Sequence, residues 1–238
     1  MRVAPRVLVL VRDAAGYGAA LADALRPPRG LTRESSPLEI PLGKYGLDGE
    51  KASGELLSFS DASGSPLVSI FVLPDYKPPL AACVMNEVLE LISSEATSTE
   101  RVLIVPFITR SSGYHHEMEH ATKTSPVLYG AEIGAANDFT HLFVGGTTEP
   151  PASLQLRSEP ILCLLEMVRV LKMPTVLLVI SGGQKQRKSS TVSDLEVLQC
   201  IGEHLAKHIN LEFSKETVLE TGIEQSPIVQ EPWRELYG

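Results

Sequence analysis

Two segments of this chain hold residues whose types and spacing suit chemistry. His116-Glu117-Met118-Glu119-His120 satisfies H-E-x-x-H, in which two imidazoles one helical turn apart hold zinc and the Glu polarises a bound water as general base. Its surroundings do not suit that task. Ser111, Ser112, Gly113 and Tyr114 precede it and Ala121, Thr122, Lys123 and Thr124 follow, so no apolar stripe would bury a helix here, exclude water and position the ligands. Glu119 puts a further charge between the two imidazoles, and only distance along the chain recommends Glu132 or Glu149 as a third ligand. The expectation is a polar loop bearing His115, His116 and His120, with no metal. A zinc hydrolase using His116, Glu117 and His120 stands as the remotest alternative.

Ile180-Ser181-Gly182-Gly183-Gln184-Lys185-Gln186-Arg187 resembles the signature loop of ATP-binding-cassette ATPases. That loop only completes a nucleotide site built elsewhere, from a G-x-x-x-x-G-K-[ST] segment whose backbone N–H groups and Lys cradle phosphates. The single Gly-Lys pair here, Gly43-Lys44, runs into Tyr45. The segment is therefore expected to be a strand end, a Gly-Gly turn, a solvated basic run from Lys185 to Lys188, and the approach to a helix.

Other nucleophile and cofactor patterns fail sooner. There is no G-x-S-x-G elbow, and Asp13 to Gly18 has too few correctly spaced glycines for a dinucleotide fingerprint. Gly145-Gly146 is read as following a strand at Leu142-Phe143-Val144, and Ser181-Gly182 as following one at Thr175 to Ile180. These are places where α/β sheets carry ligand loops. With Thr109 they form the candidate site of a small-molecule enzyme of nucleoside-phosphorylase or hydrolase type, the principal alternative reading. Cys83, Cys163 and Cys200 lie far apart within apolar helical patterns and read as reduced core thiols of a cytoplasmic or nuclear protein. No catalytic residue and no cofactor is assigned.

The positioning elements follow from hydrophobic periodicity. Val7 to Val11 is a continuous β-branched-rich run, followed by Tyr17, Leu21, Ala24 and Leu25 at helical spacing up to Pro27-Pro28. Leu38 to Leu42, Glu55 to Ser60 and Pro66 to Leu73 read as a meander, with a polar loop from Leu47 to Gly54. Pro78-Pro79 opens a helix with Leu80, Val84, Val88 and Leu91 on one face, and Val102 to Val105 is a further strand. Glu159 to Leu171 reads as an apolar helix feeding Thr175 to Ile180. Ser193 with Glu196 has capping-box spacing, followed by the stripe Leu195, Leu198, Ile201, Leu205 and Ile209. Strands apolar on both faces and interleaved with helices predict a three-layer α/β sandwich, a mostly parallel sheet with helices on both faces.

Across 238 residues, 43% are hydrophobic and 21% charged, and the net charge is −8. That acidic balance excludes a general nucleic-acid binder, and no run reaches the ~18 apolar residues of a membrane span. Neither secretion nor membrane insertion is expected. A single domain over residues 1–212 is expected to precede an acidic tail over 213–238.

The tail carries Glu212, Glu216, Glu220, Glu224, Glu231 and Glu235 against Lys215 and Arg234, with Gly222, Pro227 and Pro232 interspersed. It reads as extended and solvated. Yet it finishes Pro232-Trp233-Arg234-Glu235-Leu236-Tyr237-Gly238, gathering the only Trp, a Leu, a Tyr and a carboxylate. Leu236, Tyr237 and Gly238 resemble the hydrophobic-Tyr-x peg that proteasome activators and assembly factors insert between α-type subunits of the 20S ring. Such a peg works by groove filling, a Tyr hydroxyl bond and carboxylate–Lys pairing. The helix from Pro160 to Met173 leading into Thr175 to Ile180 is similar to the C-terminal part of the proteasome assembly chaperone 1 family, as is the order of the earlier elements. The resemblance implies a nucleoside-phosphorylase-like α/β architecture without that activity. It further implies a chaperone that pairs with a second related chaperone as a heterodimer, binds α-type 20S subunits, and docks through Leu236, Tyr237 and Gly238.

Overall fold

In a computed structural model, the run Val7 to Val11 is the heart of strand β1 (Arg6–Arg12), the central strand of a seven-stranded sheet. The structure describes residues 2–47, 49, 51–94, 101–109, 126–181 and 193–220. After β1 come helix α1 (Tyr17–Ala24), the short β2 (Leu25–Arg26), then the meander β3 (Thr32–Ile40), β4 (Ala52–Ser60) and β5 (Pro66–Pro74). Helix α2 (Leu80–Ser93) leads to β6 (Val102–Thr109), and β7 (Leu128–Ile133) to α3 (Asp138–Val144). Helix α4 (Glu159–Leu171) feeds β8 (Thr175–Ser181), and α5 (Asp194–Ile209), β9 (Glu212–Phe213) and α6 (Lys215–Glu220) follow.

The sheet order is β3-β4-β5-β1-β6-β8-β7. The pairs β5–β1, β1–β6 and β6–β8 are parallel, while β4 and β7 run against their neighbours. Five strands thus share one direction, which makes the sheet mixed but mostly parallel. Alternation within β1 explains the layers. Leu8 and Leu10 join the core under α1, α3, α5 and α6, while Val7 and Val9 join the core under α2 and α4. Because both faces are covered, consecutive residues are all buried. Each fully buried Leu, Ile or Val contributes roughly 1.5–3 kcal/mol of burial free energy.

Helix α5 starts as its spacing predicts. The Glu196 N–H donates to Ser193 Oγ at 3.2 Å, and the Ser193 N–H donates to Glu196 Oε2 at 2.8 Å. Val197, Leu198, Ile201, Leu205 and Ile209 are buried. Among the described residues no helix is long and apolar enough to cross a membrane.

Three expectations need correction. Leu142 to Val144 is the end of helix α3 and not a strand. Asn137 and Thr140 form a capping box that starts the helix, and its Phe143 is fully buried against α5 while Leu142 faces solvent. Strand β7 was absent from the expected order. It is an edge strand with mostly half-buried side chains, and Gly130 lies so near Thr147 that an added Cβ would sit 2.2 Å from its Oγ1. The extended reading of the chain from Glu212 fails as far as Glu220. There β9 pairs with β2, the Ser214 N–H donates to Ala24 O at 2.9 Å, and Val218 of α6 is buried.

Candidate functional site

Parallel strands of an α/β sheet end at one rim, and ligands of such folds bind in the crevice outside those ends. Here β1, β5 and β6 end around a cavity of about 210 Å³, walled by Leu10, Leu21, Phe107 and Ile161, with Asp13 and Asp75 at its polar side. It is smaller than the roughly 300–1,000 Å³ of usual small-molecule sites. Both carboxylates are held by donors of the fold itself. Asp13 Oδ1 accepts the Ala15 N–H at 2.7 Å and its Oδ2 the Gly18 N–H at 3.2 Å, so the side chain closes the start of α1. Asp75 is paired with Lys77. The Tyr17 hydroxyl donates to Asp194 Oδ1 at 2.7 Å and ties the start of α1 to that of α5.

The residues assigned to the enzyme alternative are arranged differently from expectation. Thr109 and Ser181 are register partners on β6 and β8, and Thr109 Oγ1 donates to Ile180 O at 3.4 Å. Gly145-Gly146 follows a helix, with His204 of α5 the nearest group to an added Cβ on Gly146, at 3.5 Å. Gly182 and the basic run after it lie outside the described residues, as do His115, His116, Glu117 and His120. The proposed third ligand Glu132 accepts hydrogen bonds from Thr140 Oγ1 and, at 2.9 Å, from His141 Nδ1, while Glu149 is exposed. Among the described residues no three His, Cys, Asp or Glu side chains gather to hold a metal.

Cys83, Cys163 and Cys200 are half-buried free thiols packed beside the two cores. Burial pushes the Cys163 and Cys200 thiols up, with Glu159 and Glu203 adding to it. Both shifts favour the thiol over the nucleophilic thiolate at these two positions.

One titratable cluster has no counterpart in the sequence reading. His204 and His208 pack with ring centroids 4.6 Å apart and planes tilted by 45°, and the Phe143 ring lies 5.3 Å from the first and 4.7 Å from the second. His204 Nε2 bears its proton and donates to Phe143 O at 3.0 Å. Phe139 packs against Phe143 with the ring planes tilted by 60°, and the Arg6 guanidinium sits 4.8 Å over the Phe139 ring. The signal was available, since His204 and His208 are one turn apart on α5, but only the packing of α3 reveals their common neighbour.

Burial lowers the pKa of His204, with the His208 charge next in effect; burial and then Lys207 lower that of His208. The fold thus favours the neutral form of both rings. The unfolded chain, with imidazoles near the ordinary 6.5, binds more protons below that pH. Stability from this pair is complete above 6.5 and is lost as pH falls below it. We expect Tm to be flat above neutrality and to decline as pH falls below 6.5. His204→Gln/His208→Gln should flatten that decline in a melting series; an unchanged slope would contradict the assignment.

The fold is shared with archaeal and bacterial proteasome-related proteins. It is similar to PbaB of Pyrococcus furiosus, an archaeal proteasome activator, at TM-score 0.56 and 11% identity, covering 99% of this chain and 94% of that one. PbaA of the same organism, an archaeal homologue of proteasome-assembly chaperone, matches at TM-score 0.53 and 13% identity, covering 99% and 93%. A Mycobacterium tuberculosis protein of unknown function matches at TM-score 0.54 and 15% identity, covering 92% and 75%. No curated protein matches the sequence. The chain belongs to the family described as a domain of unknown function, DUF7894, which matches residues 1–238.

Proposed function

We propose that this protein is a non-catalytic chaperone of 20S proteasome assembly, which pairs with a second, structurally related chaperone and holds α-type subunits while their ring closes. The observation that carries this reading is the likeness of nearly the whole chain to PbaB, an archaeal proteasome activator, and PbaA, an archaeal homologue of proteasome-assembly chaperone. Two further features support it. The strand-end cavity spends its carboxylates on the fold, which suits a scaffold better than an active site. The sequence also finishes on Leu236, Tyr237 and Gly238, proposed here as the docking peg.

Anchoring explains how so short a peg suffices. The chain is fastened to the domain as far as α6, through β9 on β2, Phe213 against Gly202, and Arg26 Nη2 donating to Thr217 Oγ1 at 3.2 Å. Once the domain touches a partner, a tail tethered there acts at high effective concentration, and a weak contact becomes sufficient. The reading places the protein in the cytoplasm or nucleus, where proteasomes assemble.

The test is affinity purification of the full chain, and of a chain lacking Leu236 to Gly238, from native extract with mass spectrometry of the retained proteins. The full chain should retain α-type subunits and a second chaperone, and the truncation should lower subunit recovery about tenfold while leaving the second chaperone bound. Recovery of neither by the full chain would overturn the proposal.

A further inference from the structure

His204 and His208 lie four residues apart on α5, so successive turns place both imidazoles on one side of the helix. Their ring centroids are 4.6 Å apart. With metal–nitrogen bonds of about 2.0–2.1 Å, each centroid of a liganded pair stands roughly 3.2 Å from the ion. Imidazoles at ~90° then have centroids about 4.5 Å apart, and at the tetrahedral angle about 5.2 Å. The observed separation suits one shared ion. The tautomer fits as well. His204 Nε2 donates to Phe143 O at 3.0 Å, which leaves Nδ1 as a lone pair. A ring N–H held by a backbone carbonyl is the usual support of a metal-ligating histidine, since it fixes the tautomer and the ring plane. His208 makes ring contacts and, among the described residues, no hydrogen bond. Burial favours the neutral, ligating form of both rings. There is also room beside Nδ1. Beyond its chain neighbours, an added Cβ on Gly146 would meet only His204, its Cε1 at 3.5 Å and its Nδ1 at 3.9 Å.

We infer that His204 and His208 form a two-histidine site for a divalent transition-metal ion of the nickel and copper class. His204 Nδ1 and one nitrogen of His208 hold the ion at adjacent coordination positions, and water completes its shell. The class of ion follows from ligand type and angle. Imidazole suits transition metals, whereas calcium and magnesium take oxygen donors. A near-right angle between the two rings suits octahedral or tetragonal Ni²⁺ and Cu²⁺ better than tetrahedral Zn²⁺. Both ions also stand high in the general order of affinity among first-row metals. Among the described residues no third His, Cys, Asp or Glu joins the pair, so the ion keeps solvent ligands. The carbonyl of Phe143 is the outer partner that orients His204, which makes α3 part of the site. The inference rests neither on the tail nor on the chaperone reading, and it is separate from the segment His116 to His120.

Calorimetric titration of the full chain, free of any affinity tag, with Ni²⁺ near neutral pH tests the inference. His204→Gln and His208→Gln should each weaken the binding of one equivalent about tenfold or more. His116→Gln/His120→Gln should keep that equivalent, which separates the pair from the other histidine-rich segment. Gly146→Val retains both imidazoles and fills the space beside Nδ1. It should weaken binding about tenfold, and so tests the site even if loss of an imidazole unfolds the chain. Zn²⁺ should bind more weakly than Ni²⁺. In NMR spectra, substoichiometric Ni²⁺ should broaden the ring protons of His204, His208 and Phe143 before those of other residues. No binding at about millimolar Ni²⁺, an equivalent indifferent to both His204→Gln and His208→Gln, or broadening centred elsewhere in the chain would overturn the site. Zn²⁺ binding more tightly than Ni²⁺ would overturn the assignment of the ion.

Discussion

Phe143→Ala is expected to lower the melting temperature by about 6–20 °C, the largest single effect foreseen here. The ring is fully buried and is the shared neighbour of Phe139, His204 and His208. Truncation removes the transfer free energy of the ring and leaves a cavity between α3 and α5, a loss of about 3–5 kcal/mol. For a chain of this size each kcal/mol is worth roughly 2–4 °C. A second readout identifies the mechanism. With the ring gone, water reaches both imidazoles, burial no longer holds their pKa values down, and the loss of stability below pH 6.5 should shrink. Thermal melts at neutral and mildly acidic pH measure both effects. A variant that melts within a degree or two of the parent would show that α3 does not depend on this ring.

Gly18→Ala is the second. A Cβ there would stand 2.0 Å from Val11 O and 2.8 Å from Val11 C, and these are backbone atoms of the central strand, unable to swing aside. The helix would have to lift from the end of β1, breaking the Gly18 N–H bond to Asp13 and opening the strand-end crevice. Overpacking of this kind costs about 3 kcal/mol, hence ~6–12 °C. Gly49→Ala is the control, since an added Cβ there meets nothing within 4 Å and the backbone is not left-handed; its melting temperature should not move. If Gly18→Ala behaves like the control, the close approach of α1 to β1 is wrong.

The two variants differ in how far their sites could be read from the residues. Gly18 sits in the first turn of α1, a helix whose existence the run Val7 to Val11 and the spacing of Tyr17, Leu21 and Ala24 announce. That the second residue of α1 must be glycine depends on how closely the helix crosses Val11. Phe143 lies in a segment whose local pattern, Leu142-Phe143-Val144, suits a strand. Its helix is decided by the Asn137–Thr140 cap and by the vacancy beside α5 that the ring fills. Short apolar runs carry no period of their own, so tertiary packing settles them.

The candidate site divides in the same way. The terminal Leu236, Tyr237 and Gly238, the acidic stretch before them and the lack of a phosphate loop are properties of residue order, legible without coordinates. The gathering of His204 and His208 around Phe143 joins residues far apart in the chain and exists only once α3 packs on α5, whereas Asp13 and Asp75 are held by donors two to five residues further along.

By itself the sequence determined the four parallel central strands, the meander, and helices α2, α4 and α5. Strands covered on both faces must be continuously apolar, and helices covered on one must repeat every 3.6 residues, so burial is written directly into residue order. Tertiary structure alone decided the charged half of β3, the edge strand β7, helix α3, and the packing of β9 and α6. These elements are held by pairing with a neighbour or by single buried side chains such as Phe143 and Val218, rather than by a periodic apolar face. Thr32 to Pro37 pairs with β4 although most of its side chains face water, and Phe213 finds its place only because Gly202 leaves room for its ring. A backbone hydrogen bond to another strand demands no particular side chain, and so leaves no trace in the sequence that forms it.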